Sequence, residues 1–109
     1  MSSTLTLSNP NNYVRISLSG IFQAPFDGTT RSPHAHLSIE RDSTDLGQGE
    51  IITTDNVNAI PVGITMTDSP GDTNSHTYRA MFDNGGGGTQ TASFTASPLA
   101  YLLLEEIAR

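Results

Sequence analysis

ITMTDSPGDTNSHTYRAMF, running from Ile64 to Phe82, decides the fold: two alternating segments flank the turn Asp68-Ser69-Pro70-Gly71-Asp72. Pro70 presets φ near about −65° at one corner and Gly71 accepts positive φ at the next, so the chain reverses here with little strain. After the turn the period is two. His76, Tyr78, Ala80 and Phe82 point one way and Thr77, Arg79 and Met81 the other, which puts a mostly apolar face against a core. The element reads as a sheet edge and its loop, with no reaction chemistry in it.

Working outward, similar signals recur at short intervals between Gly, Pro, Asn and Asp clusters, the spacing of an all-β sandwich or barrel. Ser3 to Leu7 is the first candidate strand and ends at Ser8-Asn9-Pro10-Asn11-Asn12. Tyr13 to Gly20 alternates cleanly, with Val14, Ile16 and Leu18 on one face. Gln23 to Pro33 carries Pro25, Asp27-Gly28 and Pro33, a proline density that argues for an ordered loop. Ala35, Leu37 and Ile39 then alternate with His34, His36, Ser38 and Glu40, and the strand runs into the polar turn Arg41 to Gly47. Further strands are expected over Glu50 to Thr54, over Val57 to Thr67 with Pro61 near its start, and over Thr89 to Thr95.

The last segment, Leu99 to Ile107, has high helix propensity, and Ser97-Pro98 suits a helix start. A strand through Leu99 to Glu105 is favoured, because a helix would leave one sheet edge without a partner. The expectation is therefore an all-β, antiparallel β-sandwich of about eight strands. Residues 1–12 form an N-terminal arm with the first strand, and residues 13–109 form the main domain.

Composition narrows the function classes. At 109 residues the chain is one domain, and with no cysteine it holds neither disulfides nor a thiolate metal site. Its net charge is −6, and its basic residues are Arg15, Arg31, Arg41, Arg79 and Arg109. Such a surface does not track phosphates, so no nucleic-acid partner is expected. No run approaches the roughly 20 apolar residues of a membrane span, so no membrane partner is expected either.

Candidate chemistry is sparse. His34 and His36 sit two apart and share one side of a strand, and with His76 they can be drawn as metal ligands, but chance placement of polar residues explains them as well. The turn aspartates Asp27, Asp42, Asp45, Asp68 and Asp72 lack the spacing of a calcium loop and suit turn hydrogen bonding. Glu105 and Glu106 face opposite sides of a strand and cannot act as a glycosidase pair. No G-x-S-x-G elbow is present, and the four glycines Gly85 to Gly88 have neither the helix nor the Lys of a phosphate loop. No cofactor, no metal and no catalytic residue are expected, and the chain reads as a non-enzyme.

Three stretches together resemble a known group. They are Leu37 to Gly47 with its Arg41-Asp42 turn, Asp68-Ser69-Pro70-Gly71-Asp72 followed by His76-Thr77-Tyr78, and the closing Leu104-Glu105-Glu106-Ile107. In this order they are similar to small trimeric jelly-roll domains of tailed bacteriophages, found at fibre tips and as capsid decoration proteins. The resemblance spans approximately Tyr13 to Ile107; the four-glycine loop and Gln23 to Pro33 have no counterpart in it.

With a first strand so close to Met1 the domain is expected to stand alone without a fibre shaft, an expectation that selects the decoration role within that group. The resemblance then implies a jelly-roll topology and a homotrimer made in the host cytoplasm. It would bind the major capsid protein on the outer surface of the virion and cement neighbouring capsomers. The alternative it leaves open is a receptor- or carbohydrate-binding tip. For the trimer seam the aromatic and aliphatic residues Tyr78, Phe82, Tyr101 and Leu103 are the candidates. For the capsid contact the candidate is the polar arm Ser2, Ser3, Thr4, Leu5, Thr6 and Leu7, extending to Pro10, which can add to a sheet edge.

Overall fold

Alternation becomes strands throughout the computed structural model of this chain. It describes residues 2–26, 34–52, 59–83, 91–95 and 101–109, with side chains for 2–20, 37–47, 63–81 and 101–109. The strands are β1 (Ser2–Thr6), β2 (Tyr13–Phe26), β3 (His34–Arg41), β4 (Thr44–Ile52), β5 (Ala59–Asp68), β6 (Ser75–Asp83), β7 (Thr91–Thr95) and β8 (Tyr101–Ile107). Among the described residues there is no helix.

Two antiparallel sheets result. The first has the order β1-β6-β3-β4. In the second, β5 pairs with one side of β2, while β8 and β7 share its other side end to end, β8 against Tyr13–Ser19 and β7 against Ile21–Phe26. The inner faces meet in one core. Val14, Ile16 and Leu18 of β2 pack with Leu37 and Ile39 of β3, Tyr78 and Ala80 of β6, and Leu7. Burying each large side chain of this kind contributes about 1.5–3 kcal/mol, so this row holds the sheets together. β1 and β8 also pack together along one side of the sandwich, each hydrogen-bonded in a different sheet.

The closing segment is a strand, as expected: Tyr101–Ile107 pairs with β2 from Ile107↔Tyr13 to Tyr101↔Ser19. Burial inside a sheet outweighs its helix propensity. Other boundaries differ from the sequence expectation. β2 runs through Pro25 to Phe26, where a loop was expected, because the ladder to β7 shifts register between Gln23 and Phe26 and so asks no hydrogen bond of the proline. Residues 27–33 lie outside the described ones, as does the four-glycine segment.

The polar turn after β3 is only Asp42-Ser43, both in the left-handed region at φ 48° and 74°, and Arg41 pairs directly with Thr44. This is the backbone of a two-residue hairpin, so β4 starts well before Glu50. Pro61 stands third in β5 and is tolerated because β5 is an edge strand. The N-terminal segment forms the expected first strand: β1 pairs with β6 over Ser2↔Arg79 to Thr6↔Ser75, and Leu7 is buried in the shared core.

Candidate functional site

The inward row of each strand changes from apolar to polar at the same end of the sandwich. On β3 the inward parity Leu37, Ile39 ends at Arg41; on β5, Ile64 and Met66 are followed by Asp68; on β8, Leu102 and Leu104 are followed by Glu106. Asp68 and Glu106 both pair with Val14, so the two carboxylates flank the first core residue of β2.

Asp68 ties the sheets together. Its Oδ2 accepts from Arg41 Nη1 at 2.5 Å and from the Tyr78 hydroxyl at 2.9 Å, both across from the opposite sheet. The Arg41 and Asp68 side chains keep only 23% and 11% of their exposure, so this pair is largely shielded from water. Burial first, and the neighbouring Asp68 second, push the Tyr78 phenol far above its ordinary value, so it keeps the proton that it donates to Asp68.

Beside it, His76 lies between two carboxylates. Its Nδ1 meets Asp42 Oδ2 at 2.5 Å and its Nε2 meets Asp72 Oδ1 at 2.9 Å. Asp42 also accepts from the Thr77 backbone N–H at 2.9 Å, and Asp72 from that of Asn74 at 2.7 Å. The hydrogen bond to Asp42 and then the one to Asp72 raise the imidazole above its usual range; His76 and then the Thr77 N–H lower the Asp42 carboxyl, and the Asn74 N–H and then His76 lower that of Asp72.

On the far side of Val14, Glu106 Oε1 accepts from the Ser8 backbone N–H, the Ser8 hydroxyl and the Asn12 amide at 2.8, 2.7 and 2.7 Å. Asn12 and Ser8 hold its carboxyl below the usual range. Glu105 points outward and receives Arg15 through two nitrogens at 2.9 and 3.1 Å. The two glutamates thus face opposite sides, as the strand period requires.

This end is a clamp between the two sheets. No buried side-chain nitrogen or oxygen lacks a partner among the described residues. Among the described residues no cluster of His, Asp and Glu has the arrangement of a metal site. His76 is held by Asp42 and Asp72, and the side chains of His34 and His36, drawn beside it from the sequence, lie outside the described ones.

The outer face of the second sheet differs in kind. Tyr101 and Leu103 stand 50% and 46% exposed on β8, and the ladder sets Tyr101 beside Ser19 and Leu103 beside Ser17. Next come Gly63 and Thr65 of β5, opposite Ser19 and Ser17. A side-chain carbon at Gly63 would meet nothing within 4 Å. The surface is therefore stepped, a bulky apolar ridge beside a trough of small residues.

The residues singled out in the sequence separate accordingly. Tyr101 and Leu103 are on that ridge. Tyr78 is fully buried in its own chain and has no surface to offer another copy, a correction to its place in a subunit seam. The Phe82 side chain lies outside the described ones. Ser2, Thr4 and Thr6 are exposed on β1, Ser3 and Leu5 are half-buried and Leu7 is buried, so only alternate positions of the arm can meet a partner. The Arg41–Asp68–Tyr78 group was missed, although part of its signal is in the sequence: Arg41 and Asp68 each occupy an apolar-parity position as the last residue of a strand, and Tyr78 an inward position within β6.

No family model, curated protein or solved structure matches this chain.

Proposed function

We propose that this protein is a non-catalytic structural module that self-associates as a homotrimer and decorates the outer capsid surface of a tailed phage, binding the major capsid protein. The observation that carries self-association is the stepped face of the second sheet. The Tyr101–Leu103 ridge of one copy fits the Ser17, Ser19, Gly63 trough of the next, a heterologous contact that closes into a ring when the rotation permits. Charge favours this face too. In a chain of net charge −6, its charged pair Arg15–Glu105 cancels, so copies meet there without the repulsion they feel elsewhere.

The capsid assignment is supported by the resemblance of the three sequence stretches, which the fold gathers at one end of the sandwich. The jelly-roll reading belongs to the same proposal. Its support is the passage of the chain between sheets at β1–β2, β2–β3, β4–β5, β5–β6 and β6–β7, and the meeting of the first and last strands along one side. Three linked contacts to a shell multiply weak single affinities, which suits a small domain. β1, outermost in the first sheet and unpaired on its outer side among the described residues, is the element proposed to reach the capsid.

Light scattering of the isolated chain and electron microscopy of particles with and without it test the proposal. A trimer that Leu103→Glu dissociates, and surface density that vanishes with the protein, are expected. A monomer at high micromolar concentration would refute the self-association; unchanged particles would refute the capsid assignment.

A further inference from the structure

Both ring nitrogens of His76 face carboxylate oxygens, at 2.5 Å to Asp42 and 2.9 Å to Asp72. A neutral imidazole has one N–H, so only the doubly protonated ring satisfies both contacts. Loss of the proton leaves a bare nitrogen lone pair against a carboxylate. The two carboxylates belong to different segments: Asp42 to the turn between β3 and β4, and Asp72 to the connection 69–74 between β5 and β6.

We propose that His76 is a proton-operated latch: charged, it ties the 69–74 connection to the β3–β4 turn, and neutral, it keeps Asp42 and lets Asp72 go. The asymmetry follows from how each carboxylate is otherwise held. Asp42 sits at the shorter distance and is fixed to β6 twice more, by Thr77 N–H to its Oδ1 and by its own N–H to the Thr77 carbonyl, both 2.9 Å. Among the described residues Asp72 is otherwise bonded only within its own connection, to Asn74 N–H. That connection contains Gly71 at φ 81°, with open space around it, so it has room to move.

The surrounding charges act in the same sense. From the first sheet, the turn after β3 presents Asp42 with Arg41 behind it, and Arg41 is engaged by Asp68. β1 places the uncharged Leu5 opposite His76. From the second sheet, β5 presents Asp68, already taken by Arg41 and Tyr78. Asp42 and Asp72 are thus the groups that set the ring's protonation, and both favour the charged form. The latch is closed below the raised imidazole value and opens as pH rises through it. It does not depend on the proposed viral role.

The test is nitrogen-15 NMR of the His76 ring in the full chain, with amide exchange at Asn74 and Thr77 corrected for intrinsic rates across pH 5.5–9. The ring is expected to titrate above the ordinary value of about 6.5. Across the same midpoint Asn74 protection should fall several-fold while Thr77 protection holds. Asp72→Asn should abolish the pH dependence at Asn74, because an amide can donate to the bare nitrogen and still accept from Asn74 N–H. A ring titrating at or below the ordinary value, Asn74 and Thr77 losing protection together, or unaltered pH dependence in Asp72→Asn would each overturn the latch.

Discussion

The Tyr78 hydroxyl on β6 donates to Asp68 Oδ2 on β5 at 2.9 Å, one sheet reaching to the other, and Arg41 shares the same acceptor oxygen. Removing the acceptor is therefore worse than removing either donor. Asp68→Ala strands a shielded guanidinium and a buried phenol and is expected to cost about 3 kcal/mol, against about 1 kcal/mol for Tyr78→Phe. Urea unfolding measures both. Equal losses would mean that Asp68 does not bridge the sheets.

Ile16 and Leu103 are both aliphatic residues in the second sheet, yet Ile16 is 1% exposed and Leu103 46%. Ile16→Ala should destabilise by about 2–5 kcal/mol through lost burial and a cavity. Leu103→Ser should stay within about 0.5 kcal/mol for the isolated fold. Thermal unfolding at low protein concentration compares them. A large loss from Leu103→Ser would place Leu103 in the monomer core instead.

Ser43 adopts φ 74° in the two-residue turn after β3. Glycine takes this conformation without the steric cost of a β-carbon, and Asp-Gly is a preferred hairpin pair. Ser43→Gly should raise stability by about 0.5–1 kcal/mol, while Ser43→Val should lower it by more than about 1 kcal/mol. Denaturant midpoints decide; a loss on Ser43→Gly would show that the serine side chain itself holds the turn.

Stability should peak in mildly acidic solution. The carboxyls of Asp42, Asp72, Glu105 and Glu106 are all lowered in the folded chain, so their contribution is present above the unfolded carboxylate range and lost as pH falls through the depressed values. His76 is raised, so its contribution is complete below the unfolded value and lost as pH climbs through the folded one. The melting temperature should form a plateau between about pH 4.5 and 6.5 and fall on both sides. In His76→Gln the alkaline decline should shrink. A wild-type melting temperature that rises from pH 6.5 to 9 would contradict the His76 contribution.

The sequence made the strands legible where alternation is strict. Val14, Ile16 and Leu18, and likewise Leu37 and Ile39, face the core as their period demands. It was less informative where a strand carries residues with turn chemistry. Pro25 and Pro61 argued for loops or strand starts, yet a register shift and an edge position accommodate them, and both are properties of the partner strands rather than of the local sequence. The clamp was half legible. Asp68, Asp72, His76 and Tyr78 were visible as a motif, but their link to Arg41 and Asp42 depends on β3 lying beside β6, which no local pattern announces. The same motif gave Tyr78 to a subunit seam because an aromatic at inward parity looks alike whether its cover is its own sheet or another copy.

β2 serves as a common spine, with β5 along one flank and β8 and β7 in tandem along the other. Its partnership with β8 joins Tyr13 to Ile107, closing nearly the whole polypeptide into a ring. Such a closure is entropically slow and must await synthesis of the distant strand. A ribosome-bound or truncated product lacking Tyr101–Ile107 would carry the spine with the Tyr13–Ser19 half of one flank bare, its Val14, Ile16 and Leu18 row half uncovered and its backbone open to pairing with a stranger. Quality control and misassembly would compete for that intermediate, and the final seven-residue strand decides which of them loses its substrate.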